Sequence, residues 1–357
     1  MSRRPSDAGD AGGGGQAPAA GAGRMRIGVM GAGSIGCYVG GRLAAADVAE
    51  VVLVGRERIR QEIAAHDLRA VDMGREHVAP AARVRFETDA AALGDCDAVL
   101  VCVKCAQTAE VAGELAGVLR ADACVVSLQN GMHNAERLRA RLGERVVAGV
   151  VGFNVVSKGE GVFFRGMSGP IQLEARPGAR RLAGVLRAAG LEIELHEALE
   201  PLQWTKLMLN LNNAVSALSG APTVELLRAP GFRRLVAAVI EEALAVLKVA
   251  GIAPAALRGV PIGWMPTVLR LPTWLVRIVT RAQMKVDPEA RSSMWEDLER
   301  GRLTEVEQLN GEIVALASRL GVDAPLNRRI VERIHAAEAA GAGSPRLDAE
   351  ALWAALT

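Results

Sequence analysis

The turn Gly31-Ala32-Gly33-Ser34-Ile35-Gly36 constrains the fold of this chain more than any other segment. It follows an apolar run and leads into a helical stretch, which is the setting in which a G-x-G-x-x-G turn binds the pyrophosphate of a dinucleotide. Gly31 permits the tight turn, Gly33 lets the pyrophosphate approach the backbone, and Gly36 lets the helix pack on the strand. N–H groups at the helix start bind phosphate oxygens. We predict a dinucleotide site here; a glycine turn kept only for packing is the alternative.

Short β-type runs alternate with helical stretches from Met25 to about His196. The runs rich in Val and Ile are Arg26 to Met30, Val51 to Val54, Ala98 to Val103, Cys124 to Leu128 and Arg145 to Val150. Such blocks indicate a parallel sheet covered on both faces, so we predict a doubly wound, Rossmann-like α/β domain. Two further runs, Ile171 to Leu173 and Leu191 to Leu195, are expected to complete the sheet in antiparallel orientation.

After Glu200 the pattern changes to long segments of helical period. These segments are Trp204 to Leu218, Gly231 to Ala250, Glu289 to Arg300 and Glu305 to Leu320. We therefore predict a disordered tail over residues 1–24, a dinucleotide-binding, Rossmann-like domain over 25–197 and an all-helical domain over 198–357. The residues discussed below favour NADP as the ligand of the first domain and a substrate and catalytic role for the second. The cleft between the two domains is expected near residues 195–205.

Composition excludes several classes of protein. The 42 basic and 40 acidic residues give a net charge of +2, and aromatic residues make up only 3%, which disfavours nucleic-acid binding. Five cysteines are few for a chain of this length, and an odd number cannot all pair, which argues against a secreted disulfide scaffold. We therefore predict a reducing cytoplasm. The segment Trp264 to Val279 is apolar, but prolines and arginines interrupt it. We interpret it as a partly buried excursion over a cleft or a subunit interface rather than a membrane span.

Arg56 follows the second predicted strand, 20 residues after Gly36. An NAD-specific site usually has an acidic residue there to hold the ribose hydroxyls. A guanidinium can instead pair with a 2′-phosphate, which a carboxylate would repel. The sequence therefore favours NADP over NAD, with a solvated surface arginine as the alternative.

Two polar clusters lie where strands of the predicted sheet end. Lys104, followed by Gln107, comes after one strand, and Asn130 comes after the next, so these side chains are expected beside the nicotinamide ribose or the substrate. Helix capping or surface exposure is the alternative for each. Cys102 and Cys105 form a C-x-x-C pair, but no second pair or histidine set with ligand spacing accompanies it. We predict neither a metal site nor a redox role for this pair.

Lys206, Asn210 and Asn213 have the spacing of one helix face, and apolar residues cover the rest of that helix. Such a narrow polar stripe is expected to line a cleft; a solvated face is the alternative. Farther along, Thr304 and Glu307 have the form of a capping box. Glu305 is not needed for that box and is therefore a candidate site residue.

Together these residues resemble the ketopantoate reductase (2-dehydropantoate 2-reductase) family, over almost the whole chain from Met25 onward. The motifs that carry the resemblance are the turn Gly31 to Gly36, Lys104 with Gln107, Asn130-Gly131, Trp204-Thr205-Lys206-Leu207 through Asn210 and Asn213, Ser292-Ser293-Met294, and Thr304-Glu305 with Leu309-Asn310-Gly311. The resemblance implies NADPH-dependent reduction of 2-dehydropantoate to (R)-pantoate in pantothenate synthesis. Ala214 stands where family members often have a second asparagine, and the Trp264 to Val279 segment is an extra insertion.

The resemblance also implies residue roles. Lys206 matches the catalytic lysine and Glu305 the active-site glutamate; Lys104 and Asn130 match positions near the nicotinamide and substrate. The substrate-binding positions are Asn130, Asn210, Asn213 as a neighbouring substitute, and Ser293. The cofactor-binding positions are Gly31, Ala32, Gly33, Ser34, Ile35, Gly36, Arg56, Lys104, Gln107 and Asn130.

Hydride addition to a 2-oxo acid produces an alkoxide, so a proton donor must face the carbonyl oxygen. We predict that Lys206 is this general acid and that Glu305 holds its ammonium. A homodimer is compatible with the sequence. Two other functions stay open: a related dehydrogenase acting on another 2-oxo or 3-hydroxy acid, and a non-catalytic NADP-binding sensor.

Overall fold

The computed structural model describes residues 24–72, 74–257, 259–279 and 291–357. The strands are β1 (Arg26–Met30), β2 (Glu50–Val54), β3 (Leu68–Asp72), β4 (Arg75–Ala79), β5 (Val84–Glu87), β6 (Ala98–Val101), β7 (Cys124–Ser127), β8 (Val146–Val151), β9 (Val155–Gly159), β10 (Val162–Arg165), β11 (Ile171–Glu174) and β12 (Ile193–His196). The helices of the N-terminal part are α1 (Ser34–Ala45), α2 (Glu57–His66), α3 (Thr108–Val118), α4 (Asn134–Leu142) and α5 (Pro177–Ala188).

An eight-stranded sheet organises the N-terminal part, with strand order β12-β11-β8-β7-β6-β1-β2-β5. The strands from β8 to β5 pair in parallel, with Ile27 of β1 between Val51 of β2 and Ala98 of β6. Apolar clusters bury both faces of this sheet, which explains why its central strands are continuous apolar runs. The predicted doubly wound α/β fold is confirmed. At the far edge β11 is antiparallel to β8, and β12 is parallel to β11, so both strands run opposite to the rest of the sheet, as predicted.

A second sheet of four strands, in the order β4-β3-β10-β9, was not predicted from the sequence, and neither was the edge strand β5. Helix α1 packs against this sheet through Tyr38 and Arg42, which are both buried. Arg42 donates from Nη1 to Oδ2 of Asp72 over 2.7 Å and from Nη2 to the carbonyls of Ala189 and Gly190. The buried guanidinium thus ties the second sheet and the end of α5 to α1.

The C-terminal part is helical, as predicted, and has a separate apolar core. Its helices are α6 (Glu200–Asn210), α7 (Asn212–Ser219), α8 (Thr223–Arg228), α9 (Pro230–Val249), α10 (Met265–Arg270), α11 (Thr273–Val279), α12 (Ser293–Glu299), α13 (Asn310–Leu320), α14 (Pro325–Ala340) and α15 (Ala349–Leu356). Helices α14 and α15 were not predicted, although Pro325 at a first helical position and the N-cap Asp348 are both start signals. The predicted domain boundary after residue 197 lies between β12 and α6 and stays a prediction.

Two helix predictions need correction. The segment Trp204 to Leu218 is two helices, since α6 ends at Asn210 and α7 begins at Asn212. The capping box at Thr304 does not form: its Oγ1 accepts from the N–H of Val306, and its own N–H donates to Glu338 over 2.7 Å. A 3₁₀ turn over Val306–Gln308 follows, and the regular helix α13 begins only at Asn310.

The apolar segment Trp264 to Val279 is partly buried, as expected, and its place over a cleft or a subunit interface stays a prediction. Leu269 is buried, while Trp264 and Trp274 are 66% and 63% exposed. The buried Arg233 of α9 donates to the carbonyls of Leu269 and Leu271 and so anchors the segment to α9. No helix within the described ranges is both long and apolar enough to cross a membrane. The predicted N-terminal tail, apart from Arg24, lies outside the described residues.

Candidate active site

The glycine-rich turn joins β1 to α1 and has the geometry that a phosphate needs. Gly31 has a φ of +104°, and a Cβ at Gly36 would lie 2.3 Å from the carbonyl oxygen of Gly31, so both positions require glycine. A Cβ at Gly33 would meet no atom within 4 Å, so the turn is open to solvent at this residue. The N-cap Gly33 provides no side-chain cap, and the first turn of α1 has no acidic residue. The helix N-terminus therefore fits the pyrophosphate of a dinucleotide.

Arg56 lies beside this turn. The preceding Gly55 packs so closely on it that a Cβ there would lie 2.5 Å from Cβ of Ala32. Arg56 is exposed, and within the described parts of the chain its guanidinium has no carboxylate partner. Its neighbours on α2, Arg58 and Arg60, both form ion pairs with glutamates one turn away. The free guanidinium can meet the ribose end of a bound dinucleotide.

Lys104 connects the sheet to the helical part. Its Nζ, just beyond β6, lies 2.8 Å from Oδ2 of Asp297 on α12 and 3.7 Å from Oε2 of Glu305. Burial opposes the charge on Lys104, but the two carboxylates outweigh it and raise the pKa of the ammonium. Burial raises the pKa of Asp297, although Lys104 opposes that shift. The cation beside Glu305 is thus Lys104, whereas Lys206 had been expected in that place.

Glu305 is the most extensively held carboxylate of the site. Its Oε1 accepts from the backbone N–H of Cys105 over 3.3 Å and from Sγ of Cys105 over 3.1 Å, and its Oε2 accepts from Nδ2 of Asn130 over 3.2 Å. Burial opposes ionisation, but Lys104 and these donors outweigh it and lower the pKa of Glu305. Oδ1 of Asn130 in turn accepts from Nδ2 of Asn210 over 3.4 Å. A hydrogen-bonded chain therefore runs from Glu305 through Asn130 to α6.

Lys206 lies in the cleft at the end of this chain. The residues that line this part of the cleft are Gln129, Asn130, Gly131, Val150, Val151, Gln203, Lys206, Leu207 and Asn210. Loss of hydration on burial lowers the pKa of the Lys206 ammonium to about 8. Among the described residues Lys206 has no carboxylate partner. An unpaired ammonium facing a polar cleft is available to a ligand rather than to the fold.

Three predicted residues stand apart from this arrangement. Asn213 lies in the first turn of the separate helix α7 and is not among the residues that line the cleft with Lys206. Its carbonyl accepts from Oγ of Ser292 over 3.0 Å. Ser293 is exposed, whereas Ser292 is buried and caps α12 by accepting from the N–H of Trp295. Gln107 is exposed in the 3₁₀ turn after Lys104. Their binding roles stay predictions.

Sequence reasoning missed three residues of the site: Cys105, Gln203 and Asp297. Cys105 was weighed only as half of a C-x-x-C pair, yet it contacts Glu305 and not Cys102. Gln203 lies one turn before Lys206, and this spacing could have added it to the polar stripe. Asp297 had no signal in the sequence, since its partner Lys104 is 193 residues away.

Comparison with known families agrees with this architecture. The model of the family described as "Ketopantoate reductase PanE/ApbA" matches residues 27–178, and the model of its C-terminal domain matches residues 198–338. The 2-dehydropantoate 2-reductase of Archaeoglobus fulgidus is 31% identical over 325 residues, which cover 88% of this chain and 98% of that protein. The enzyme of the same name from Halobacterium salinarum is 28% identical over 331 residues, covering 89% of this chain and 100% of that protein.

Solved structures show the same fold. A PanE/ApbA family ketopantoate reductase from Ralstonia eutropha superposes with a TM-score of 0.76 at 32% identity, over 89% of this chain and 99% of that one. A D-mandelate dehydrogenase solved with NADH and anilino(oxo)acetate has a TM-score of 0.71 at 22% identity, over 89% of this chain and 99% of that one, which is a likeness of fold alone. The glycine turn, the site built from both the sheet and the helical part, and the matched relatives agree: this chain is an oxidoreductase that belongs to the ketopantoate reductase family.

Proposed function

We propose that this protein reduces 2-dehydropantoate to (R)-pantoate with NADPH, and that Lys206 is the general acid. One observation carries the proposal: the Lys206 ammonium lines the cleft beside Asn130 and Asn210 without a carboxylate partner in the described parts of the chain. The names of the family relatives support the reaction, since several are 2-dehydropantoate 2-reductases.

The proton step follows from the charge that develops on the substrate. Reduction of a carbonyl turns its oxygen into an alkoxide, so a cation that also carries a proton is the most useful group at that position. With a pKa of about 8, Lys206 is protonated in about nine molecules of ten at pH 7, and it releases its proton more readily than an exposed lysine. When bound, NADPH supplies the hydride. Lys206 then polarises the carbonyl and donates the proton.

The amides beside Lys206 position the substrate. Asn210 lies one helical turn after Lys206 and is hydrogen-bonded to Asn130, so the two amides have a fixed orientation. We assign the hydroxyl and carboxylate of the substrate to Asn130 and Asn210, with Asn213 and Ser293 as further contacts. Glu305 acts by holding Asn130 and Lys104, which lie at the strand ends where the nicotinamide is expected.

NADPH is proposed over NADH because of Arg56. Its unpaired guanidinium beside the glycine turn can bind a 2′-phosphate, and no acidic residue stands at the end of β2 to hold a free ribose hydroxyl. We further propose that the reaction serves pantothenate and coenzyme A synthesis in the cytoplasm, and that the protein is a homodimer. A dimeric ketopantoate reductase from Staphylococcus aureus, 19% identical to this chain, has the same fold.

The test is the absorbance change of NADPH with 2-dehydropantoate, repeated with NADH and with a panel of other 2-oxo acids. We expect turnover with 2-dehydropantoate and a preference for NADPH. Lys206→Ala should lower kcat by about 10² to 10⁴ fold while NADPH still binds, as expected for a lost general acid. Near-normal turnover by Lys206→Ala would exclude that role. Turnover only with another oxo acid would show that this acid, and not 2-dehydropantoate, is the substrate. NADPH binding without any turnover would indicate a sensor.

A further inference from the structure

Cys105 contacts the carboxylate of Glu305 in a way that neither a metal site nor a redox pair explains. Oε1 of Glu305 lies 3.3 Å from the backbone nitrogen and 3.1 Å from Sγ of Cys105. The other oxygen, Oε2, faces Asn130 and Lys104. Among the described residues Cys105 therefore supplies both donors to one oxygen, and two different residues serve the second.

The surrounding groups direct the thiol proton towards Glu305. Sγ of Cys105 also lies 3.1 Å from the carbonyl oxygen of Asn130, but that carbonyl already accepts from Nδ2 of Asn134. Nδ2 of Asn134 also lies 3.4 Å from Sγ as a donor, so the sulfur accepts from Asn134. A carboxylate is a stronger acceptor than a carbonyl that is already hydrogen-bonded. The S–H group therefore donates to Glu305.

Asn134 itself has a fixed orientation. Its Oδ1 accepts from Oγ1 of Thr108 over 2.8 Å, and Thr108 accepts from Nε2 of Gln129 over 2.8 Å. Asn134, Thr108 and Gln129 are all buried. The amide nitrogen of Asn134 thus points to the sulfur. The hydrogen bonds from Gln129 through Thr108 to Asn134 fix the orientation of this amide behind Cys105.

We propose that Cys105 is a positioning residue that fixes the rotamer of Glu305 and so the hydrogen-bonded chain from Glu305 through Asn130 to Asn210. The thiol is suited to this role because it is buried, donates to Glu305 and accepts from Asn134. Without the thiol, Oε1 would keep only the backbone N–H of Cys105, at 3.3 Å. The carboxylate could then rotate, and Asn130 would lose a fixed acceptor for its Nδ2. The inference deepens the proposed function and rests on it only for the effect on turnover.

The ionisation of the pair agrees with this geometry. Burial first, and then the charge of Glu305, raise the pKa of Cys105 to about 12, so the thiol keeps its proton at neutral pH. The charged and titratable groups that face Glu305 are Lys104 and Cys105 beyond β6 and Asp297 on α12. Lys104 and Cys105 favour the ionised form of Glu305, and Asp297 opposes it.

The experiment compares Cys105→Ala, Cys105→Ser and the control Cys124→Ala. Cys124 is also buried, but it lies at the opposite end of β7, where it packs against Gly178. The first readout is a ¹³C NMR titration of the Glu305 carboxyl in the full protein without ligands, assigned with Glu305→Gln. Cys105→Ala should raise the pKa of Glu305 by about half a pH unit, because a thiol is a weak donor. Cys105→Ser restores the donor and should return the pKa to the wild-type value or below.

The second readout is the pH profile of kcat/KM for 2-dehydropantoate. The acid limb should move with the Glu305 titration in Cys105→Ala, with kcat reduced about three- to tenfold, the worth of one ordinary hydrogen bond, because a thiol is a weak donor. Cys105→Ser and Cys124→Ala should keep the wild-type profile. A Glu305 titration that is the same in Cys105→Ala and wild type would overturn the inference. Absence of turnover in wild type would instead refute the proposed function and leave the NMR result standing.

Discussion

Nζ of Lys104, just beyond a sheet strand, lies 2.8 Å from Oδ2 of Asp297 on a helix 193 residues later, and this ion pair joins the sheet to the helical part of the chain. Asp297 is buried, while the Lys104 side chain is 44% exposed. Lys104→Met should therefore lower the free energy of unfolding by about 1 to 2 kcal/mol, less than for a fully buried pair because solvent screens the lysine.

The matched control is Arg120→Met, which removes a cation of similar exposure from its pairs with Asp122 and Asp97. It should destabilise the protein less than Lys104→Met does, because solvent screens an exposed ion pair. The double variant Lys104→Met with Asp297→Asn should recover part of the loss, since no buried carboxylate is left without its cation. Urea denaturation of the four proteins measures these differences. Equal losses in Lys104→Met and Arg120→Met would show that the ion pair of Lys104 with Asp297 contributes no more than a surface pair.

The pKa of Lys206 predicts the alkaline side of the activity profile. Because burial lowers this pKa to about 8, the ammonium that donates the proton is present below pH 8 and is lost above it. We expect kcat/KM to level off below pH 8 and to fall about tenfold per pH unit above it. Steady-state rates between pH 6 and about 10 measure the limb. Its persistence at the same pH in Lys206→Ala would assign it to another group.

Arg56 should determine the choice of cofactor. We expect Arg56→Asp to raise the KM for NADPH by about 10- to 100-fold, which corresponds to the loss of a charge-assisted hydrogen bond, and to change the KM for NADH little. Arg58→Asp is the control, because Arg58 is also exposed, two residues later on α2, but pairs with Glu62. Equal increases for the two cofactors in Arg56→Asp would contradict a contact with the 2′-phosphate.

Two glycines of the turn should respond differently to the same substitution. Gly36→Ala places a methyl group against the carbonyl of Gly31 and should destabilise the protein by about 1 to 3 kcal/mol. Gly33→Ala meets open space and has an ordinary φ of −91°, so the ligand-free protein should melt as wild type does. It should still weaken NADPH binding, because the methyl group lies where the phosphate approaches. Thermal melts and fluorescence titration with NADPH separate the two effects, and unchanged binding in Gly33→Ala would exclude this face as the phosphate site.

The parts of the fold that could be predicted are those buried on both sides. The strands Arg26–Met30 and Ala98–Val101 could be predicted from the sequence, because a strand buried on both faces needs a continuous apolar run. The strand Arg75–Ala79 was missed because its residues are mostly exposed and polar, so it has no such pattern. Strands at a sheet edge satisfy fewer constraints and leave a weaker trace in the sequence.

The sequence predicts individual residues of the site but not which of them contact one another. Lys206, Asn130 and Asn210 were named from their spacing and their places at element ends, and the structure brings them together. The assignment of a cation to Glu305 was wrong, because Lys104 reaches it from a strand end 201 positions earlier in the chain than Glu305. Local spacing shows which residues share a helix face, but it contains no information on which distant segment packs against that face.

The contacts of Glu305 have a consequence for any attempt to divide the molecule. Its donor residues Cys105 and Asn130 precede it by 200 and 175 residues, and both lie before the link between His196 and Glu200. Two polypeptides produced by cutting that link would each be chemically incomplete, however well each folded. Activity regained on mixing them would report the reassembly of the halves, which makes this link a natural place for a fragment-complementation sensor.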